Sequence, residues 1–330
     1  MTCKLNYLQL IRFGCFACTL MLLASCLKDE TPIARHESGN VNVSTLSISP
    51  DYRYQVYYNL EQDSVISRNL KTDWDLGFEC SADGFHVILN EAKAMFAVNK
   101  KTSDMAAVTD TLGFTEQRQW DAPSGDLNET AIGNWLNKNE VYIIDRGVNP
   151  AGQHQGFFKI QFQSVSPASY SIHFSDLAGL SAKTMVIPKD SAYNFTFFSY
   201  SDGGKLVNVE PPKAAWDLCF TQYMHIFYNP LTTYLVAGCL LNRYQTSALT
   251  DSVGQFSNIS FESIKNVKLH TRINEIGYYW KIFADGNYTA RPEVNYVIKD
   301  QKVIYYKLHF IDFYNQAGQK GWPKWEYQRL

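Results

Sequence analysis

Residues 216–220 read WDLCF, and residues 74–78 read WDLGF. A Trp-Asp-Leu-x-Phe string is unlikely to occur twice in one chain by chance, so the two copies mark either a repeated packing unit or a repeated site. In a strand, successive side chains point to opposite faces. If the second copy is a strand, Trp216, Leu218 and Phe220 share one face, and the first copy follows the same pattern.

The acid of each copy, Asp75 or Asp217, then lies on the opposite face, where its carboxylate can hold a nearby turn. We interpret each copy as a structural anchor that fills the core of its own half of the chain. The alternative is that Trp74 and Trp216 bind a ligand.

The same order of features surrounds both copies. Each is preceded by a Ser/Pro-marked turn and an aromatic strand, and each is followed by short strands and two further similar segments. The paired segments are TLSISPDYRYQVYYNL (45–60) with TMVIPKDSAYNFTFFSY (184–200), VYIIDRG (141–147) with NYVIKDQ (295–301), and FFKIQF (157–162) with YYKLHF (305–310). This indicates an internal duplication. Each unit is large enough to bury its own core, so we predict two consecutive domains, 43–180 and 181–330, joined by a short link at 176–183.

Composition and turn signals predict an all-β fold. Aromatic residues make up 15% of the chain, and they favour pleated, half-buried surfaces. Asp-Gly turn signals at 83–84, 202–204 and 285–287 are typical of hairpins. Helical periodicity is scarce, and only 105–114 and 129–136 suggest a turn or two. We predict two tandem, duplicated antiparallel β domains with few short helical turns.

The first residues predict export. Lys4 and Arg12 precede an almost wholly apolar run, 13–25, which is too short to span a bilayer and has the size of a signal-peptide core. The run ends in LLASC, which resembles a bacterial lipobox. We therefore predict a signal peptide over 1–25, a lipidated Cys26 and a flexible tether over 26–42. The alternative is an ordinary secretory signal followed by a chance cysteine.

Lys28, Asp29 and Glu30 resemble the surface-export signal of Bacteroidetes lipoproteins, which implies an outer-membrane protein exposed at the cell surface. Removing the signal takes two of the 30 basic residues and none of the 32 acidic ones, which leaves a net charge of about −4. This balance does not suggest nucleic-acid binding. Motifs typical of hydrolases, metalloproteases and nucleotide-binding enzymes are missing, so we do not expect an enzyme.

Three cysteines remain beyond the predicted lipid site: Cys80, Cys219 and Cys239. An odd number cannot form a complete disulfide framework. We expect three small buried hydrophobic residues; the alternative is that Cys219 and Cys239 face each other across a hairpin.

Three stretches of the second half resemble the HmuY family: WDLCF, IGYYWKIF (276–283) and the closing YYKLHFIDFYNQAGQKGWPKWEYQRL (305–330). The first half, with WDAPSGDLNETAIGNW at 120–135, resembles the amino-terminal part of longer members. The family consists of all-β, haem-binding surface lipoproteins of Bacteroidetes. The resemblance implies that the protein captures haem, free or from a host haem protein, and delivers it to an outer-membrane receptor.

Family members hold the haem iron with two His, or with Met in place of one or both, which is sound haem chemistry. The candidates in this chain are His270, His225 and Met224, although adjacent strand residues point to opposite faces. His86 and Met95 are weaker candidates, and we expect His309 to face solvent beside Lys307. No C-x-x-C-H motif is present, which excludes covalent haem. The alternatives are that these residues are scattered surface and packing residues, and that the protein is a surface scaffold or a glycan- or protein-binding module of the same fold.

Four sites match D-[ST]-aliphatic/small, which resembles the O-glycosylation acceptor of exported Bacteroidetes proteins. The acceptor residues are Ser64, Thr111, Ser191 and Ser252. All four fall where we expect loops or strand ends.

Overall fold

The computed structural model describes residues 38–330. These residues form one compact unit, Ser38–Leu330. The predicted signal peptide, the lipid site Cys26 and the export signal Lys28, Asp29 and Glu30 lie outside the described residues.

The described chain is built almost entirely from antiparallel strands, which confirms the predicted all-β class. The strands are β1 (Val41–Thr45), β2 (Tyr54–Asn59), β3 (Ser64–Leu70), β4 (Leu76–Glu79), β5 (Val87–Leu89), β6 (Phe96–Asn99), β7 (Val141–Asp145), β8 (Phe157–Val165), β9 (Ser169–Ser175), β10 (Lys183–Pro188), β11 (Phe195–Ser199), β12 (Lys205–Val207), β13 (Leu218–Tyr228), β14 (Leu231–Leu241), β15 (Ser247–Asp251), β16 (Lys281–Ala284), β17 (Asn287–Ala290), β18 (Asn295–Lys299), β19 (Tyr305–Tyr314) and β20 (Lys320–Arg329).

The helices are short. The α-helices are α1 (Phe114–Gln117) and α2 (Phe261–Ile264), and 3₁₀ turns occur at Glu91–Lys93, Leu127–Glu129, Ser201–Gly203 and Phe256–Asn258. Within 38–330, no helix combines the length and apolar character needed to cross a bilayer.

The sheets repeat one pattern twice. One five-stranded sheet has the order β1-β20-β19-β18-β15, and its equivalent has the order β10-β9-β8-β7-β6. The four-stranded sheets have the orders β14-β13-β2-β3 and β5-β4-β11-β12. The hairpin β16-β17 stands apart from these. The duplication predicted from the sequence is therefore visible in the topology.

The first strands of each repeat pair with strands of the other repeat. In the first repeat, β2 pairs with β13, so that Tyr57 lies opposite Cys219, and β1 pairs with β20. In the second repeat, β11 pairs with β4, so that Phe197 lies opposite Gly77, and β10 pairs with β9. The two repeats thus exchange their first three strands reciprocally.

This exchange corrects two predictions. The segment 176–183 is not a link between consecutive domains, because it forms the turn between the paired strands β9 and β10. The predicted tether also ends too late, since Val41 and Asn42 already pair with Gln328 and Tyr327.

Two large apolar clusters fill the molecule, and neither is confined to one half of the sequence. The first combines buried apolar side chains from the segment 46–60 with buried apolar side chains from the segment 218–327. The second combines residues from Leu76 to Ile187 with Phe198. The prediction that 43–180 and 181–330 each bury a separate core is therefore wrong, because the exchanged strands carry their apolar faces into the other repeat.

Each WDL copy divides its side chains between two clusters. Leu218 and Phe220 lie in the first large cluster, and Leu76 and Phe78 lie in the second. Trp74 and Trp216 instead share a third cluster with side chains of both repeats, Tyr57, Phe195, Phe197, Val209 and Cys219. The predicted common face of Trp, Leu and Phe is wrong because β4 and β13 begin only at the Leu, and strand alternation does not extend back to the Trp.

The predicted hairpin turns agree with the structure, whereas the predicted helical turns largely do not. The Asp-Gly signals close the hairpins β4-β5, β11-β12 and β16-β17. The two-residue turn of β16-β17 has positive φ at Asp285 (52°) and Gly286 (81°), as such turns require. The predicted helical turns at 105–114 and 129–136 contribute only Phe114 and Glu129 to helices.

Candidate functional site

The Asp of each WDL copy fastens an exchanged strand to its host. The Asp75 N–H donates to the Phe198 carbonyl (2.8 Å), and the Asp217 N–H donates to the Tyr58 carbonyl (2.9 Å). The Tyr200 N–H donates to Asp75 Oδ2 (2.7 Å). In the same way the Leu60 N–H donates to Asp217 Oδ2 (2.8 Å).

A buried asparagine supports each copy. Asn90 Nδ2 donates to the Lys71 and Trp74 carbonyls at 2.7 and 2.9 Å. Asn242 Nδ2 donates to the Lys213 and Trp216 carbonyls, both at 2.7 Å. These matched bonds establish that the two WDL units are equivalent in three dimensions.

The candidate iron ligands do not converge. His225 lies half-buried on β13, whereas Met224 is buried where β13 packs on the 3₁₀ turn Glu91–Lys93. His270 is exposed, and its Nδ1 lies 3.0 Å from Glu275 Oε2. Within 38–330, no hydrogen bond or ring contact joins the imidazoles of His225 and His270.

Other histidines are occupied by nearby side chains. The Nδ1 of His86 lies 2.6 Å from Glu79, and Met95 is fully buried in a core. The expectation that His309 faces solvent is wrong. Its Nε2 lies 2.9 Å from Glu326, and its ring packs on Phe256 with centroids 4.3 Å apart.

His225 differs from the other histidines of the described chain. His86, His154, His173, His270 and His309 each have a carboxylate or hydroxyl partner. Within residues 38–330, His225 alone has no hydrogen-bond partner on its ring. Instead its ring contacts Tyr278 (4.9 Å) and Phe227 (4.7 Å). Burial lowers its pKa, which favours the neutral imidazole, and the unprotonated ring nitrogen has no hydrogen-bond partner within the described residues.

An apolar surface lies beside His225, at the far end of the β13-β14 hairpin. We call it the hairpin-end surface; it consists of Phe227 and Tyr234, which are 43 and 61% exposed and share the face of His225. The exposed Tyr228 and Leu231 lie opposite each other on the other face of the hairpin. Tyr234 lies directly opposite His225 in the strand register. Exposed aromatic side chains grouped on one face are typical of a binding surface.

The three cysteines of the described chain are buried and do not form disulfides. Cys80, Cys219 and Cys239 are free and buried, as expected. Cys219 lies opposite Leu240, and Cys239 lies opposite Phe220, so Cys219 and Cys239 are on opposite faces of the hairpin and belong to different clusters. The alternative that they face each other is wrong.

A cavity of about 110 Å³ lies where the two repeats meet, against Trp74 and Trp216. Its charged side chains are Arg243, Glu91, Asp121 and Glu210. Asp121 accepts from the Leu89 and Ala131 N–H groups (2.7 and 2.8 Å), and burial raises its pKa to about 6.

Glu210 accepts from the Asn194 and Phe195 N–H groups (2.7 and 3.0 Å), and burial raises its pKa to about 7. Arg243 donates to the Gly125 carbonyl. Sequence reasoning missed this charged cavity because its members come from distant segments. The only local signal is that Glu91 and Arg243 directly follow the equivalent Asn90 and Asn242.

The four predicted glycosylation sites lie in turns or at strand ends. In three of them the Asp accepts the N–H two residues ahead, at Leu112, Ala192 and Val253, each at 2.9 Å. The Asp of these motifs therefore has a structural role, because it forms an Asx turn. Modification of Ser64, Thr111, Ser191 and Ser252 stays a prediction. Among residues 38–330, no group of three or more His, Cys, Asp or Glu is arranged to hold a metal.

Comparisons with known proteins give one family match. The model of the family described as HmuY protein matches residues 51–327, across both repeats. No curated protein matches the sequence.

Solved structures of similar length are also found. They include apo PinO from Porphyromonas gingivitis (9% identity, 88% of this chain and 97% of that chain, TM-score 0.28). A Tannerella forsythia apo HmuY analog has 10% identity over 89% of this chain and 98% of its own (TM-score 0.25). A Bacteroides vulgatus protein described as HmuY-like and heme-binding has 11% identity over 87 and 90% (TM-score 0.23). TM-scores this low support no conclusion about this chain. On the family match across both repeats, the chain belongs to the HmuY family.

Proposed function

We propose that this protein is a haem-binding lipoprotein of the outer membrane, exposed at the cell surface, which takes up haem for iron acquisition. The observation that carries the proposal is His225: a half-buried, neutral imidazole without a hydrogen-bond partner, next to an exposed aromatic surface. Membership of the HmuY family supports the same function.

The chemistry of His225 fits an axial haem ligand. A histidine binds iron through the lone pair of a neutral ring nitrogen, and His225 has no competing partner for either nitrogen. The hairpin-end surface supplies two aromatic side chains, Phe227 and Tyr234, against which a porphyrin face can pack. Haem supplies the iron to be acquired; the chain supplies one ligand and an apolar contact surface.

A haemin titration tests the proposal. We expect the purified protein to shift and sharpen the Soret band of haemin, and we expect His225→Ala to weaken binding at least tenfold. The matched control is His173→Ala, which removes a half-buried strand imidazole that is bonded to Thr184. The effect of His270→Ala decides whether His270 is the second ligand.

Unchanged binding in His225→Ala would contradict its role as a ligand. If the wild-type protein leaves the haemin spectrum unchanged, the protein is instead a scaffold or a glycan- or protein-binding module of the same fold.

The membrane anchor and the partners belong to the same proposal. A diacylated or triacylated Cys26 would hold the protein stably, since each buried methylene contributes roughly 0.8 kcal/mol. The protein would contact the membrane through this lipid and pass haem to an outer-membrane receptor. We expect Cys26→Ala to move the protein from the membrane to the soluble fraction. Replacing Lys28, Asp29 and Glu30 with Ala should retain the lipid but protect the protein from protease added to whole cells.

A further inference from the structure

The two equivalent acids, Asp75 and Asp217, have opposite electrostatic surroundings. Asp75 is completely buried and bonded to two cations: Lys93 Nζ, and Arg146 through Nε and Nη2 at 3.2 Å each. One acid and two bases leave this site with a net positive charge, which the nearby Asp145 offsets.

At Asp217 neither cation is retained. The backbone register places Asp300 where the first repeat has Arg146, because Arg146 N–H donates to Gly156 and Asp300 N–H donates to Ile304, each at 3.0 Å, directly after the equivalent strands β7 and β18. The loop after Asn242 contains no lysine before Thr246. Its Arg243 lines the central cavity instead.

Two further differences add oxygen atoms, whereas Lys299 and Lys302 stand where the first repeat has Asp145 and Val148. Gln301 replaces Gly147 and Tyr306 replaces Phe158 in the aligned repeats. Three buried oxygen atoms here have no hydrogen-bond partner: Asp217 Oδ1, Gln301 Oε1 and Tyr306 Oη. Asp217 and Tyr306 are only 1 and 2% exposed, so bulk water does not solvate them.

These oxygen atoms belong to one neighbourhood. Gln301 Nε2 donates to the Trp216 carbonyl, next to Asp217, at 3.3 Å. The charges of Asp300 and Asp217 both act on the Tyr306 hydroxyl. Two cations lie nearby: Lys302, which pairs with Glu61 at the surface, and Arg329, which lies opposite Tyr306 in the strand register and also acts on its hydroxyl.

We propose that a divalent cation of the Ca²⁺ type binds between Asp217 and Asp300, with Gln301 and Tyr306 as further oxygen donors, and replaces the positive charge that Lys93 and Arg146 supply to Asp75. Asp300 Oδ1 already accepts the Lys302 and Ile304 N–H groups, each at 2.8 Å, whereas Asp217 Oδ1 has no partner. A buried carboxylate with an unpaired oxygen is costly unless a cation neutralises it. Two carboxylates match a divalent charge, and an irregular set of oxygen donors suits Ca²⁺ better than the strictly octahedral Mg²⁺.

Thermal unfolding of the purified protein in EDTA and in CaCl₂ tests the proposal. We expect Ca²⁺ at 100 times its Kd to raise Tm by about 5 °C. Tb³⁺ should bind in its place and give luminescence sensitised by Tyr306, which Ca²⁺ displaces. Asp217→Asn and Asp300→Asn should each abolish both signals, whereas Asp110→Asn, in an exposed loop, should leave them unchanged.

Asp300→Arg restores the residue type of the first repeat. It should make Tm independent of Ca²⁺ and abolish Tb³⁺ luminescence. The proposal is overturned if wild-type protein gives no Tb³⁺ signal and the same Tm in EDTA and CaCl₂; the two acids then share a proton rather than a cation. It is also overturned if Asp217→Asn still binds Tb³⁺ with the wild-type Kd.

Discussion

Trp74 contacts Phe197, a side chain of the other repeat, with ring centroids 4.7 Å apart in an edge-to-face arrangement. The equivalent Trp216 contacts Tyr57, again across the repeats, at 4.9 Å. Each Trp therefore packs on a strand that the other repeat has contributed. The repeated WDL string is a packing unit of the junction between repeats.

Replacing either Trp should destabilise the whole described unit. We expect Trp74→Ala and Trp216→Ala each to lower the free energy of unfolding by about 3–5 kcal/mol. Because both belong to one central cluster, each variant should unfold in a single transition at lower denaturant concentration. Urea unfolding followed by fluorescence and by hydrogen exchange measures this. A variant that unfolds one half of the sequence and leaves the other intact would contradict the shared cluster.

Cutting the chain between the repeats should not separate them. Leu180 is 89% exposed in the turn between β9 and β10, which suits an inserted protease site. After cleavage, β2 still pairs with β13 and β4 still pairs with β11. We expect the two fragments to co-elute from a size-exclusion column without denaturant. Two separate peaks of folded fragments would restore the interpretation as consecutive domains.

The central cavity should make stability depend on pH. The Glu210 pKa is about 7 in the folded protein, above its ordinary value of 4.5. Its contribution is therefore fully present below about pH 4.5 and is lost as the pH rises to 7. The loss is about 3 kcal/mol. We expect Glu210→Gln to reduce rather than abolish the slope of the unfolding free energy against pH over this range, since Asp121 also titrates there, and the exposed Glu116→Gln to leave that slope unchanged. Equal slopes of unfolding free energy against pH in the wild type, Glu210→Gln and Glu116→Gln would refute this effect.

The ion pair on Asp75 should be worth far more than a surface pair. Asp75→Asn leaves Lys93 and Arg146 buried without their counter-charge, and we expect a loss of about 3–5 kcal/mol. Asp202→Asn breaks the exposed pair with Lys205, which should cost less than about 1 kcal/mol. Chemical denaturation compares the two. Losses of similar size would show that the Asp75 cluster is not electrostatically coupled.

Local features could be predicted from the sequence because their causes are local. The Asp-Gly turns close hairpins wherever they occur, and the alternation in KIQF and KLHF places Ile160, Phe162, Leu308 and Phe310 in the cores. The resemblance to the HmuY family is likewise visible in short local strings.

The partners of each strand could not be predicted. Because β2 and β11 are both aromatic strands from equivalent positions, either could pair with β4 or β13, and only the geometry of the whole chain selects between them. For the same reason, neither the cavity around Glu210 nor the pairing of Asp75 with Lys93 and Arg146 could be predicted, since these cations lie 18 and 71 residues from Asp75 in the chain.

Reciprocal strand exchange also bears on how such a chain can arise and diverge. A single repeat would leave its first three strands without a host, and two identical copies would complete each other as a symmetric homodimer. Gene fusion through the β9-β10 turn preserves that arrangement while ending the requirement that both copies carry the same residues. In a homodimer, a mutation from Arg to Asp at the position of Arg146 would change both subunits together, because they share one sequence. In the fused chain the two equivalent positions can differ, and here one holds Arg146 and the other Asp300.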